Sequence, residues 1–232
     1  MEYKLKLSIE NKLITIRSVQ RALEQAKERS FETSFFNNGH GIAKWSNLYS
    51  ELHHATLENT LSILATRSGW PTSMRIDNSD GTLYGFLSQK NFEEKSKRLP
   101  SNMHYVSGLS YIFNRNFKPT SSDNKHMNIQ GSLNIGYDEQ VALDIQNKMI
   151  GTNSESINRF CLILLDIKRQ ELVNIQAVIV NENFDILHEE NWSHLIQVAP
   201  NEDNELSTTS QETKQHDLNT PLKRKTKIRK QQ

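Results

Sequence analysis

Phe160-Cys161-Leu162-Ile163-Leu164-Leu165-Asp166-Ile167 is the most apolar run in the chain, and Leu172-Val173-Asn174-Ile175-Gln176-Ala177-Val178-Ile179-Val180 follows closely. A short run without polar alternation, bounded by turn residues, reads as a strand covered on both faces. Lys168-Arg169-Gln170 supplies a tight turn. The second run then reads as its antiparallel neighbour, with Val173, Ile175, Ala177 and Ile179 on one face. Asn181-Glu182-Asn183 turns the chain again, and Phe184-Asp185-Ile186-Leu187 offers a third strand. The stretch Glu190 to Ile196 reads as a last turn of helix that packs Trp192 and Ile196.

Upstream of this meander the period changes. Tyr3, Leu5, Leu7 and Ile9 alternate with polar residues at strand period, with a helix capped by Ser8 as the competing reading. Leu13, Ile16, Val19, Leu23 and Ala26 predict a helix over 12–29. After the turn signal Asn37-Asn38-Gly39-His40-Gly41, a second helix carries Trp45, Leu48, Leu52 and Ala55. The spacing of Leu57, Leu61 and Leu64 extends helical character to Ser68-Gly69, where Pro71 confirms the stop. Asp80-Gly81, flanked by Met74-Arg75-Ile76 and Leu83–Leu87, predicts a hairpin. Ser88 is positioned to cap a helix over 89–98, and further helices are expected over 102–114 and 138–149. Residues 114–136 read as a long polar loop.

Helices first, then a hairpin, more helix and a meander make an α+β chain. No glycine-rich phosphate loop follows a strand, which excludes a Rossmann or P-loop reading. From Pro200 onward, large hydrophobes nearly vanish. The expected organisation is one globular domain over 1–199 and a disordered tail over 200–232.

Charge and cysteine content narrow the function. The chain of 232 residues has 28 Lys and Arg against 27 Asp and Glu, net +1. That excludes a uniformly basic nucleic-acid coat. Basic residues instead gather at the end: Lys223, Arg224, Lys225, Lys227, Arg229 and Lys230 lie within eight positions with no acid among them. Such a run is expected to contact nucleic acid or another polyanion, and to act as a localisation signal in a cell with a nucleus. The single cysteine, Cys161, allows no internal disulfide and lies in an apolar context, so it reads as a small core residue. No apolar signal core or membrane-length run is seen, so the expectation is an intracellular, cytoplasmic protein without membrane contact.

Three constellations merit chemical reading. Asp166-Ile167-Lys168, with Asp144 upstream, resembles the motif of PD-(D/E)XK nucleases. The resemblance implies that Asp144 and Asp166 hold Mg²⁺ and that Lys168 assists the attacking water. A second version uses Asp77 with Gln89 and Lys90, but Ser88 stands where that family has a carboxylate. The order of helices and hairpin also resembles winged-helix DNA-binding domains, with Leu57–Arg67 as recognition helix and Arg75 in the wing. The eight histidines, including His40, His53, His54, His188 and His194, show no zinc-site spacing. No Gly-x-Ser-x-Gly elbow is present. The expected function is therefore a non-enzymatic binding or accessory protein, without catalytic residues, metal or cofactor. Its expected partner is a protein or a nucleic acid. The Mg²⁺-dependent nuclease is the alternative.

Overall fold

The computed structural model describes residues 5–32, 40–67, 70–97, 104–117 and 138–197. The expected tail over 200–232 and most of the long polar loop lie outside them. Two helices come first, α1 (Ile9–Glu32) and α2 (His40–His54). Three strands follow, β1 (Thr60–Arg67), β2 (Trp70–Asp77) and β3 (Thr82–Ser88). Then come α3 (Gln89–Ser96), α4 (Tyr105–Asn114) and α5 (Glu139–Met149), a 3₁₀ turn over Gly151–Ser156, and β4 (Arg159–Lys168), β5 (Glu171–Val180) and β6 (Ile186–Asn191). The chain is α+β, as the sequence indicates.

The six strands among the described residues form one sheet in the order β1-β2-β3-β4-β5-β6. The hairpin and the C-terminal meander are both antiparallel, and they join where β3 and β4 run parallel, Thr82 beside Arg159 through Ser88 beside Leu165. A parallel join requires a crossover. Residues 89–158 provide it, and their helices cover one face of the sheet while α1 and α2 cover the other.

This layering explains the apolar run at 160–165. Cys161, Ile163 and Leu165 face Ile16, Val19, Leu23, Leu48 and Leu52 of α1 and α2. Phe160, Leu162 and Leu164 face Phe92, Val106, Leu109 and Met149 of the crossover helices. A strand with helices on both sides has no solvent face and loses polar alternation. Trp192 is fully buried on the α1 side, next to the 3₁₀ turn Ser193–Leu195.

Several sequence expectations need correction. Residues 5–8 form no strand. Leu5 and Leu7 are buried and Lys6 and Ser8 exposed, so the alternation marks an extended segment laid on the core. Ser8 does cap α1, its Oγ accepting from Asn11 N at 3.1 Å. Residues 60–67 are strand β1, not helix. Leu61, Ile63 and Ala65 also alternate at period two, and pairing with β2 over the full eight residues selects that period. The winged-helix reading therefore loses its recognition helix. Its supposed wing residue Arg75 is buried, and its guanidinium bonds the carbonyls of Leu52 and Ala55 at the end of α2 and the Thr60 hydroxyl. In β5, Leu172 rather than Val173 joins the core, because a bulge makes Val173 an extra residue between the Asp166–Asn174 and Ile167–Leu172 pairs.

The hairpin turn follows its sequence signal. Gly81 has φ +70°, and a Cβ there would lie 2.6 Å from the Ser156 carbonyl oxygen and 2.5 Å from Asn158 Nδ2. Only glycine suits this position. Ser88 caps α3 through Asn91 N, and Asp138 caps α5 through Gln140 N.

Candidate functional site

The residues named for nuclease chemistry take separate places. Asp166 and Lys168 lie two apart near the end of β4, with Lys168 Nζ 2.9 Å from Asp166 Oδ2. Asp144 is exposed on α5, where it accepts a 3.4 Å hydrogen bond from Gln140 Nε2 on its own helix. α5 packs on α4 and β1. Among the described residues no group of three His, Cys, Asp or Glu side chains is placed to hold a metal ion. Asp77 is buried at the turn end of the hairpin and accepts from Ser79 N at 2.9 Å. Gln89 and Lys90 follow Ser88 at the opposite end of β3, so the hairpin itself keeps Asp77 away from them.

Among the other named groups, Cys161, His53 and His54 are engaged locally. Cys161 is buried beneath α1, and burial together with the Glu190 carboxylate pushes its thiol well above the ordinary range. His53 shares a 2.8 Å hydrogen bond with Ser62, and its ring meets His54 edge-on. His40 opens α2. Lys223, Arg224, Lys225, Lys227, Arg229 and Lys230 lie outside the described residues.

The structure brings together a different set. A cavity of about 780 Å³ lies between the segment Leu5–Lys12 and the C-terminal end of the body, with Ser79 of the hairpin turn at its rim. Both walls are fixed by backbone contacts. Asn11 Nδ2 donates to the Glu58 carbonyl at 3.0 Å while its Oδ1 accepts from Glu58 N at 3.1 Å, anchoring the first turn of α1. Trp192 N donates to the Ile175 carbonyl at 3.0 Å, holding the other wall against β5.

Lys12 and Glu190 form an ion pair across this cleft. Lys12 Nζ also sits 5.2 Å from the centroid of the Trp192 ring, within cation–π range. The Trp192 indole N–H has no hydrogen-bond partner among the described residues. Leu5, Leu7, Ile9 and Leu195 add apolar surface, and Lys6 and His194 add polar surface. The lysine charge is already matched by Glu190, so the cleft suits an amphipathic molecule better than a polyanion. Sequence reading anticipates Trp192 as a packing residue. It misses Lys12 and Glu190, which are 178 positions apart and belong to no local motif.

The model of a family of unknown function, DUF5986, matches residues 6–232. The chain belongs to that family. No curated protein and no solved structure matches this DUF5986 chain. The span of the DUF5986 match takes in both Lys12 and Glu190 of the cleft and the basic run at 223–230.

Proposed function

We propose that this DUF5986 protein is a binding or accessory protein rather than a catalyst, acting inside the cell and touching nucleic acid or a similar polyanion through its basic C-terminal run. The observation that carries this reading is the partition of charge. Of the 28 bases and 27 acids, residues 200–232 hold seven and five, which leaves 21 bases against 22 acids in residues 1–199. The body is thus close to neutral, and the basic surplus sits in six residues near the end. A basic run of this kind releases counterions from phosphates and gives salt-sensitive, sequence-independent association. No described helix is long and apolar enough to cross a membrane.

Retention on a heparin column at low salt tests this. Full-length protein should bind and elute early in a salt gradient, and deletion of residues 221–232 should abolish retention while leaving the thermal unfolding midpoint unchanged. Flow-through of the full chain, or equal retention of the truncated one, overturns the reading.

A second reading, the Mg²⁺-dependent nuclease, is supported by the close approach of Lys168 to Asp166. It requires cleavage of plasmid DNA or RNA that needs Mg²⁺ and is lost in both Asp166→Ala and Lys168→Ala.

A further inference from the structure

The two edges of the sheet differ in how they meet solvent. β6 is six residues long, carries Glu189 and Glu190, and has a register irregularity where it leaves β5, with Leu187 as the extra residue between the Ile179–His188 and Val180–Ile186 pairs. Short length, charge and a bulge are devices that keep an edge from pairing with another chain. Apart from Arg67 at its end, β1 has none of them. It pairs with β2 over all eight residues without a shift, and Thr60 to Thr66 contains no charged residue and no proline. Leu61 and Leu64 are 43% and 57% exposed. Among the described residues no strand pairs with the outer side of β1.

We propose that the outer edge of β1 is a homodimer interface, in which two copies of the chain pair β1 with β1 antiparallel about a two-fold axis at Ile63. The sequence of the strand favours a second copy as the occupant. Centring on Ile63 pairs Thr60 with Thr66, Leu61 with Ala65 and Ser62 with Leu64, so the neutral window matches itself from end to end. Directly opposed residues share a face of the sheet. The side that carries Leu61, Ile63 and Ala65 therefore meets an apolar copy of itself, extending the surface that β1 shares with α5. No like charges are opposed at any step. A two-fold pairing of this type is closed and yields a dimer, not a fibre.

Sedimentation of the full chain over a range of concentrations tests the proposal. The expected result is a reversible monomer–dimer equilibrium. Leu64→Lys and Leu61→Lys should each weaken it about tenfold or more, because a lysine is then forced against the partner strand. Both leucines are exposed, and an unchanged far-ultraviolet dichroism spectrum checks that the variants fold. Val173→Lys, on an exposed residue of β5, should leave the equilibrium unchanged. A chain that stays monomeric at every concentration overturns the proposal, as do dimers insensitive to both β1 lysines. Slow amide exchange along β1 in such a monomer would mean that another part of the same chain covers the edge, which also overturns it.

Discussion

The side-chain amide of Asn114 closes on the backbone of Phe160: Asn114 Oδ1 accepts from Phe160 N at 2.9 Å while Nδ2 donates to the Phe160 carbonyl at 2.8 Å. The same Nδ2 donates to the Val180 carbonyl at 2.8 Å. One buried side chain at the end of α4 thus pairs backbone groups at the start of β4 and the end of β5, where the ladder between those strands has run out. It ties the crossover to the sheet at that end.

Removing this amide leaves two buried carbonyls and one N–H without their partner. Each orphaned buried group costs roughly 1–3 kcal/mol. Asn114→Ala should lower the stability of the chain by about 3 kcal/mol in denaturant titration, with an unchanged m-value. Asn114→Asp, which keeps the acceptor but sets a buried carboxylate oxygen against the two carbonyls, should cost at least as much. A loss below about 0.5 kcal/mol in either variant would show that the clamp contributes nothing.

The position of Asn114 illustrates how far local reading reaches. Its partners are 46 and 66 residues away, so no window of sequence contains the reason for an asparagine there. Patterns that close within a few residues are legible: Ser88 as a cap, Asp80-Gly81 as a hairpin turn, and the meander from its apolar run. The helical reading of Leu57 to Leu64 failed because leucines three and four apart also suit a helix, and only pairing with β2 selects period two. The alternation puts Val173 on the core face, whereas a bulge shifts it by one residue. The parallel β3–β4 join was invisible because a crossover of some seventy residues separates its partners. Lys12 and Glu190 escape local reading for the same reason as Asn114.

The Asp166–Lys168 pair lies at a strand end, with the lysine mostly in solvent. Exposed ion pairs contribute little, because water screens them and holding two long side chains costs entropy. Asp166→Ala and Lys168→Ala should each change stability by less than about 0.5 kcal/mol in thermal or denaturant unfolding. A larger loss would show that the pair is structural, and loss of a Mg²⁺-dependent cleavage activity would favour the nuclease reading.

Cys161 should make stability fall at alkaline pH. Burial and the nearby Glu190 raise its pKa in the folded chain, with Arg159 acting in the opposite direction. The folded state therefore holds the protonated thiol, and its contribution is complete below the unfolded thiol pKa of about 8.5. As pH rises past that point the unfolded chain releases a proton that the folded chain retains. Stability then drops by up to about 1.4 kcal/mol per pH unit until the raised folded pKa is reached. Unfolding titrations between pH 7 and 10 should show this slope, and Cys161→Ala should reduce it. Tyr84, also raised by burial and by neighbouring Cys161, Asp80 and Asp77, sustains a further slope above the ordinary tyrosine range of about 10. Equal slopes for the two proteins up to pH 9.5 would exclude the thiol as the source.

The Lys12–Glu190 pair should show an asymmetric response to removal of its two halves. Lys12 is almost wholly enclosed, with 10% of its side chain exposed, whereas Glu190 keeps 33%. Deleting the glutamate strands an enclosed ammonium whose remaining stabilisation is the Trp192 ring. Deleting the lysine leaves a carboxylate that can turn to water. The general cost of breaking a fully buried pair is about 3–5 kcal/mol, and the exposure of Glu190 should reduce it here to about 1–2 kcal/mol for Glu190→Ala. Lys12→Met keeps the apolar stem over the indole and removes the buried charge, so it should be neutral or slightly stabilising. The double variant should then be no less stable than Glu190→Ala alone. Urea titration of the three proteins measures the cycle. If Lys12→Met is the more damaging single change, the ammonium itself holds this wall of the cleft together through Trp192, and its burial is not a net cost.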